Sequence, residues 1–333
     1  SLSKYLDKDK FEVSTILYPY PNATDFVEEE GVRYIKMNPH MRSLGWWAVV
    51  KGIIQCDVVY WVKHEYNTLA YITAKLFRKK LFTTVEGILV ESDIKKVKNG
   101  KRYLHSFRRV SPYLYAITQH IKEDVGQRHN FKFSNPILYL GVETKKFLNP
   151  QNDLRDGKLK NICFIGNNLV NKGIADFFKM AKEFPLLQFH IIGTNALWNG
   201  IKLEDYLKEE GLFNIIYHGK LNHTEMAILL RDMDIMYFTS RAEGFPKVQL
   251  ETACAGCPTL CYSDYGADEW ITNGKNGFVV NNFEEAVAVI SDLCQNTEKL
   301  KSISNQSVEL GKSFDWSKLV GVWEDEIIRI YNS

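Results

Sequence analysis

From residue 160 onward, short apolar runs alternate with amphipathic stretches. The runs 161–166, 187–193, 214–219, 234–240 and 258–263 predict strands, and 172–184, 202–210, 223–232 and 246–256 predict helices between them. Strictly alternating strands and helices predict a doubly wound parallel sheet in an α/β fold. The first half reads the same way less regularly, with strands predicted at 11–18, 32–37, 57–62, 81–85, 113–117 and 137–139. A polar, turn-rich stretch, Pro150-Gln151-Asn152-Asp153 with Asp156-Gly157, separates the halves, so 1–150 and 151–313 read as two domains. A chain of 333 residues suits two cores better than one. The end, 314–333, carries Leu319, Val320, Val322, Trp323, Ile327, Ile328 and Ile330 in an amphipathic pattern and predicts a closing helix.

The segment Glu243-Gly244-Phe245-Pro246-Lys247-Val248-Gln249-Leu250-Glu251 bears most on chemistry. It follows a run that reads as a buried parallel strand, and Pro246 suits the first position of the next helix. Glu243 then lies at the carboxyl end of a strand, where open α/β sheets bind ligands. The following helix points free backbone N–H groups the same way, as a phosphate requires. Glu251 falls within that helix as an acceptor for hydroxyls. Two acceptors flanking an anion site suit a sugar nucleotide.

These residues, with Thr252-Ala253-Cys254-Ala255-Gly256-Cys257-Pro258-Thr259 after them, resemble the C-terminal domain of retaining glycosyltransferases of family 4. Ile162-Cys163-Phe164-Ile165-Gly166 with Lys172-Gly173, Tyr217-His218-Gly219, Asn273-Gly274-Lys275-Asn276-Gly277-Phe278-Val279-Val280 and Phe314-Asp315-Trp316 follow in that family's order. The resemblance covers roughly 56–331, strongest after 160. It implies the GT-B fold, two Rossmann-like domains facing across a cleft, with 314–333 crossing back to the N-terminal domain. It assigns Lys172 to the leaving diphosphate, Glu243 to the donor sugar and Glu251 to the ribose. Gly166, Asn167, Gly219, Lys220, Leu221, Gly244 and the backbone of Phe245, Lys247 and Val248 complete the implied donor site. Asn167 stands where the family usually has an arginine, and Glu86 where it commonly has a histidine, placed to orient an acceptor hydroxyl or simply to cap a loop. His64 and Glu65 are weaker candidates for the same task. Family members begin one βα unit before the helix end read at Ser1–Leu6, so that unit is expected to be missing here.

The resemblance implies retaining, metal-independent transfer of a hexose from a nucleotide-diphosphate sugar to a glycan or lipid-linked acceptor, with no cofactor. A sugar-nucleotide epimerase or phosphorylase of the same fold, and a non-catalytic sugar-nucleotide-binding protein, stay open as alternatives. Asp232-Met233-Asp234 would sit at the end of its strand away from the donor, against a metal role, and Cys254, Cys257 and Cys261 lack a fourth ligand for zinc. The six cysteines suit reduced thiols, and the opening residues show no signal-peptide pattern, which together predict a cytoplasmic protein. Residues 1–150 hold 24 Lys and Arg against 15 Asp and Glu, while the rest holds 18 against 25. The basic half, densest at Lys95, Lys96, Lys98, Lys101, Arg102, Arg108 and Arg109, reads either as a solvated face or as attraction to an anionic membrane surface. No nucleic-acid module accompanies it.

Overall fold

The computed structural model describes residues 2–17, 28–29, 31–36, 42–61, 68–88, 107–110, 112–150, 152 and 156–333. They form two compact units, Ser1–Gly141 with Trp316–Ser333, and Val142–Asp315. The division falls before the polar stretch around Pro150 because residues just after Gly141 are tied to the far end of the second unit. Val142 N–H donates to Phe314 O at 3.0 Å, and Thr144 N–H to the Asp315 carboxylate at 3.2 Å.

In the first unit the elements run α1 (Leu2–Tyr5), β1 (Val13–Leu17), β2 (Glu28–Glu29), β3 (Val32–Lys36), α2 (Arg42–Gln55), β4 (Val58–Tyr60), α3 (Thr68–Leu76), β5 (Lys80–Val85), β6 (Leu114–Ala116) and α4 (Gln119–His129). The described strands pair as two three-stranded sheets, β1-β3-β2 and β4-β5-β6. β1 runs parallel to β3, with Val13 opposite Val32, and β4, β5 and β6 are all parallel. The stretch 137–139 forms no strand; Leu138 donates one hydrogen bond to Ala116 O at 3.0 Å.

The second unit runs α5 (Thr144–Phe147), β7 (Asn161–Gly166), α6 (Ile174–Glu183), β8 (Gln188–Gly193), α7 (Leu203–Glu209), β9 (Ile215–Tyr217), α8 (His223–Leu230), β10 (Ile235–Phe238), α9 (Lys247–Cys254), β11 (Thr259–Tyr262), β12 (Phe278–Val280), α10 (Phe283–Gln295) and α11 (Thr297–Ser313). Six parallel strands form one sheet in the order β12-β11-β10-β7-β8-β9. Alternate strand residues Ile162, Phe164, Phe189, Ile191, Ile235, Tyr237, Leu260 and Tyr262 feed one core with Phe177, Phe178 and Met180 of α6. The other face carries Cys163, Met236 and Cys261, equally buried, so both faces are covered and the strands read as continuous apolar runs. α9 and α11 approach so closely that a Cβ on Gly311 would lie 2.5 Å from Cys254 Sγ. α8 starts with a capping box, Asn222 accepting from Glu225 N–H while Glu225 accepts from Asn222 N–H.

The last helix, α12 (Trp316–Asn332), packs within the first unit. Trp316, Trp323 and Ile330 join Phe82, Tyr115 and Leu138 in its core. Trp323 Nε1 donates to Tyr139 O at 2.9 Å, and Tyr115 OH donates to Glu326 Oε2 at 2.6 Å while accepting from Arg329 at 2.7 Å. Glu324 accepts from Asp7 N–H at 2.7 Å. The buried face of α12 is thus partly carboxylate, each acid being paired as burial demands. Gly141 lies against the start of α12, where a Cβ would overlap the Trp316 ring at 2.5 Å.

Candidate active site

In the second unit the sheet order reverses between β7 and β10, since the chain steps from β7 outward to β8 and β9 and returns on the other side to β10. The loops leaving the carboxyl ends of those two adjacent strands lie at this switch point, the usual ligand position in such sheets. Lys172 lies near the end of the first of these loops and Glu243 lies in the second. Their side chains meet as an ion pair, Lys172 Nζ to Glu243 Oε1. Glu243 is the more buried partner, and Lys172 also lies 5.8 Å from the centroid of the Phe238 ring.

Backbone geometry fixes this meeting. Gly173 has φ +74°, and a Cβ there would sit 2.4 Å from Thr239 O, so only glycine lets the two loops come this close. Thr239 Oγ1 donates to Lys172 O at 2.7 Å, stapling the loops together. Upstream, Asn168 adopts φ +60°, and its N–H donates to Thr194 Oγ1 at 3.2 Å. Asn167 is exposed beside it. Gly166 lies close to Lys172, whose Cγ would be 3.4 Å from an added Cβ. At the end of β8, Gly193 N–H donates to Gly219 O at 2.9 Å, which brings Gly219, with Lys220 and Leu221 after it, alongside the β7 and β8 loops. Neither α6 nor α9 has a side-chain N-cap hydrogen bond.

Pro246 occupies the N-cap position, one residue before the helix it was expected to begin. The Phe245 side chain turns inward onto Trp270, centroids 5.2 Å apart, and Phe314, at 5.7 Å. Gln249, buried in the first turn of α9, donates to Tyr265 OH at 2.6 Å and accepts from Trp270 Nε1 at 2.9 Å. These contacts lock the Glu243–Lys247 turn from below. Glu251 is half-buried, and burial pushes its carboxyl above the ordinary range, reinforced by Glu143 and opposed by His223 and Lys247. Gly244, Lys247 and Val248 lie between the two carboxylates in the same turn and helix start.

A second cluster occupies the ends of β10 and β11. Arg241 pairs with Asp264 at 3.0 Å and its guanidinium stacks 3.6 Å from the Tyr262 ring centroid. Tyr262 OH donates to Asp176 at 2.9 Å and lies 2.8 Å from Tyr237 OH. Sequence reasoning passed over Arg241, Gln249 and Tyr262; the only signal was their place at strand ends or beside Glu243. Glu86 belongs to the first unit, at the end of β5, where Thr84 Oγ1 donates to it at 3.3 Å and Tyr60 OH at 3.4 Å. His64 and Glu65 lie outside the described residues. Asp234 accepts from Lys160 and Asn161 N–H groups, both at 2.8 Å, at the amino end of β7 and so away from Lys172. Among the described residues no three acids, histidines or cysteines are grouped to hold a metal ion.

Residues 145–309 match the family Glycosyl transferases group 1. The chain is 24% identical over 279 residues to an uncharacterized glycosyltransferase of Methanocaldococcus jannaschii, spanning 82% of this chain and 76% of that protein. It is 24% identical over 287 residues to the capsular polysaccharide biosynthesis glycosyltransferase CapM of Staphylococcus aureus, spanning 79% and 72%. Among solved structures, sucrose-phosphate synthase from Thermosynechococcus elongatus superposes with a TM-score of 0.76 at 13% identity, covering 99% of this chain and 92% of that one. Anabaena HepE in complex with UDP and glucose superposes with a TM-score of 0.70 at 18% identity, covering 91% and 88%. The fold is that of the GT-B glycosyltransferases.

Proposed function

With residues 145–309 belonging to the glycosyl transferases group 1 family, the chain is a glycosyltransferase, and we propose that it moves a hexose from a nucleotide-diphosphate sugar to a glycan or lipid-linked acceptor, with retention and without a metal. The observation that carries this reading is the Lys172–Glu243 pair at the switch point of the second unit's sheet. Losing a diphosphate from the anomeric carbon builds negative charge on the leaving oxygen, and a fixed ammonium beside it is the direct way to stabilise that charge. Glu243 holds Lys172 in place with one of its three donors, leaving the others for phosphate oxygens, and offers its second oxygen to a sugar hydroxyl. Glu251, with Lys247 and His223 nearby, is the acceptor proposed for the ribose hydroxyls. Gly166, Asn167, Gly219, Lys220, Leu221 and the Gly244–Val248 turn supply the remaining donor contacts. Glu86 is the candidate in the first unit for orienting an acceptor hydroxyl. Retention is assigned to departure and attack on the same sugar face, the leaving phosphate taking the acceptor's proton. HepE, a structural neighbour, has been captured with UDP-glucose, and the relative CapM belongs to capsular polysaccharide biosynthesis; both support this substrate class.

Calorimetric titration of UDP-, GDP- and ADP-sugars without metal tests the donor site. One donor binds saturably, and Glu251→Ala weakens it by roughly 10- to 100-fold, the loss of hydrogen bonds to a charged acceptor. Lys172→Ala keeps the fold and lowers turnover about 10²- to 10³-fold. Binding without turnover in the unaltered protein would replace the enzyme by a sugar-nucleotide-binding protein, and product from donor alone would make it an epimerase.

A further inference from the structure

In the first unit, α3 wears its apolar side chains the wrong way round. Its inward face is Ala70, Thr73 and Ala74, all buried, whereas Leu69, Ile72 and Leu76, at i, i+3 and i+7, stand 44%, 45% and 75% exposed. An amphipathic helix of a globular domain turns its large apolar residues inward. The neighbouring α2 repeats the pattern: Val49 and Ile53 are buried against Ala70 and Ala74, while Trp47, 66% exposed, shares an outer face with Lys51 and Ile54. Phe77 extends the exposed strip just past α3.

Basic residues frame this strip. Lys51, Lys75 and Arg78 are exposed, and Arg109 stacks its guanidinium 5.0 Å from the Tyr71 ring centroid on α3. Residues 42–80 carry seven Lys and Arg against two Asp and Glu, and one of those acids, Asp57, already faces Lys79 at 3.6 Å. The remainder of the basic cluster foreseen at 95–102 lies outside the described residues. Large apolar residues rimmed by cations, with a tryptophan among them, are what an interfacial helix presents to a negatively charged bilayer. A second copy of the chain is a poor match, since a two-fold contact would set this basic face against itself. No described helix is long and apolar enough to cross a membrane, so contact would be in the plane of the interface.

We propose that the outer face of α2 and α3 docks on an anionic lipid surface, Leu69, Ile72, Leu76 and Trp47 entering the interface while Lys51, Lys75 and Arg78 meet the headgroups. Co-sedimentation of the full chain with vesicles tests this without any reading of turnover, so it stands or falls apart from the donor site. Vesicles of phosphatidylcholine containing about one-third phosphatidylglycerol bind at least about tenfold more protein than phosphatidylcholine alone, and high salt reduces the excess. Ile72→Glu with Leu76→Glu lowers partitioning at least about tenfold while the thermal melt is unchanged, because both side chains are exposed. Lys51→Glu with Lys75→Glu, which spares the apolar strip, removes the preference for anionic vesicles. No binding to anionic vesicles, or equal binding by the Ile72→Glu and Leu76→Glu protein, overturns the proposal. So does a dimer in sedimentation velocity that this double variant abolishes, which would make the face an interface between copies.

Discussion

β10 and β4 are both short apolar strands, Ile-Met-Tyr-Phe and Val-Val-Tyr, yet every residue of β10 is buried while every residue of β4 is half-buried. The difference lies in what surrounds them. β10 sits between β7 and β11 in a continuous six-stranded sheet with both faces covered, whereas β4, among the described residues, pairs on one side only, with β5. β1, which among the described residues pairs only with β3, is likewise half-buried at residues 13–16. Comparably apolar runs are therefore fully enclosed in the second unit and only half-enclosed in the first. The donor chemistry rests on the enclosed sheet, where loops must be held closely enough to pair Lys172 with Glu243.

Amide hydrogen exchange would sharpen this contrast most. The central amides of β7, β8 and β10 should exchange at least about 1,000-fold more slowly than those of β1 and β4, equivalent to about 4 kcal/mol of local stability. Similar protection in both sets would break the comparison. Next in size is Gly193→Ala. A Cβ at Gly193 would lie 1.8 Å from Gly166 O on the neighbouring strand, at a φ of +152°. Strands β7 and β8 must separate to admit it, costing about 3 to 4 kcal/mol by urea unfolding. Gly87→Ala in the first unit, with nothing within 4 Å of the new methyl, serves as the control and should change stability by less than about 0.5 kcal/mol.

The same contrast explains what the sequence disclosed. In the second unit five predicted strands match β7 to β11 within two residues at every end, because strands buried on both faces must be apolar throughout. β12, three residues long, gave too short a run to be predicted as a strand. In the first unit 137–139 looked like another strand, but Leu138 is instead spent on packing with α12. The Lys172–Glu243 meeting was only half legible: each residue had a place at a strand end, but the pairing depends on strand order and on Gly173 lying against Thr239, which no local pattern encodes. Arg241 and Tyr262 were invisible for the same reason, being joined only when β10 and β11 lie side by side.

Acid should weaken the second unit selectively. His190 on β8 and His218 after β9 stack with nitrogens 2.9 Å apart, and His190 also meets Asn161 at 3.3 Å. Burial, and secondarily the His218 ring, pushes His190 down to about 4 from 6.5. Between those values the unfolded chain binds the proton and the folded one does not, so stability is complete above about pH 6.5 and is lost as the pH falls toward 4. The loss is roughly 3 kcal/mol at about 1.4 kcal/mol per pH unit. Urea unfolding across that range, followed by exchange at the β8 and β9 amides, reads it directly. A flat profile would mean that the pair opens to water and that this edge of the sheet is no tighter than the first unit.

The smallest effect is also the most discriminating. Gly321 lies exposed in the middle of α12, and a methyl added there meets nothing within 4 Å. Gly321→Ala should therefore gain only helix propensity, about 0.5 to 1 kcal/mol. Because α12 is packed within the first unit through Trp316, Trp323 and the Tyr115–Glu326 hydrogen bond, that gain belongs to the first unit alone if the two units unfold separately. Exchange at β5 and β6 should then slow by a few-fold while β7 and β8 stay unchanged. Slowing in both would show that α12 couples the units into one cooperative block, and the half-burial of β1 and β4 would be a matter of local pairing rather than of a weaker domain.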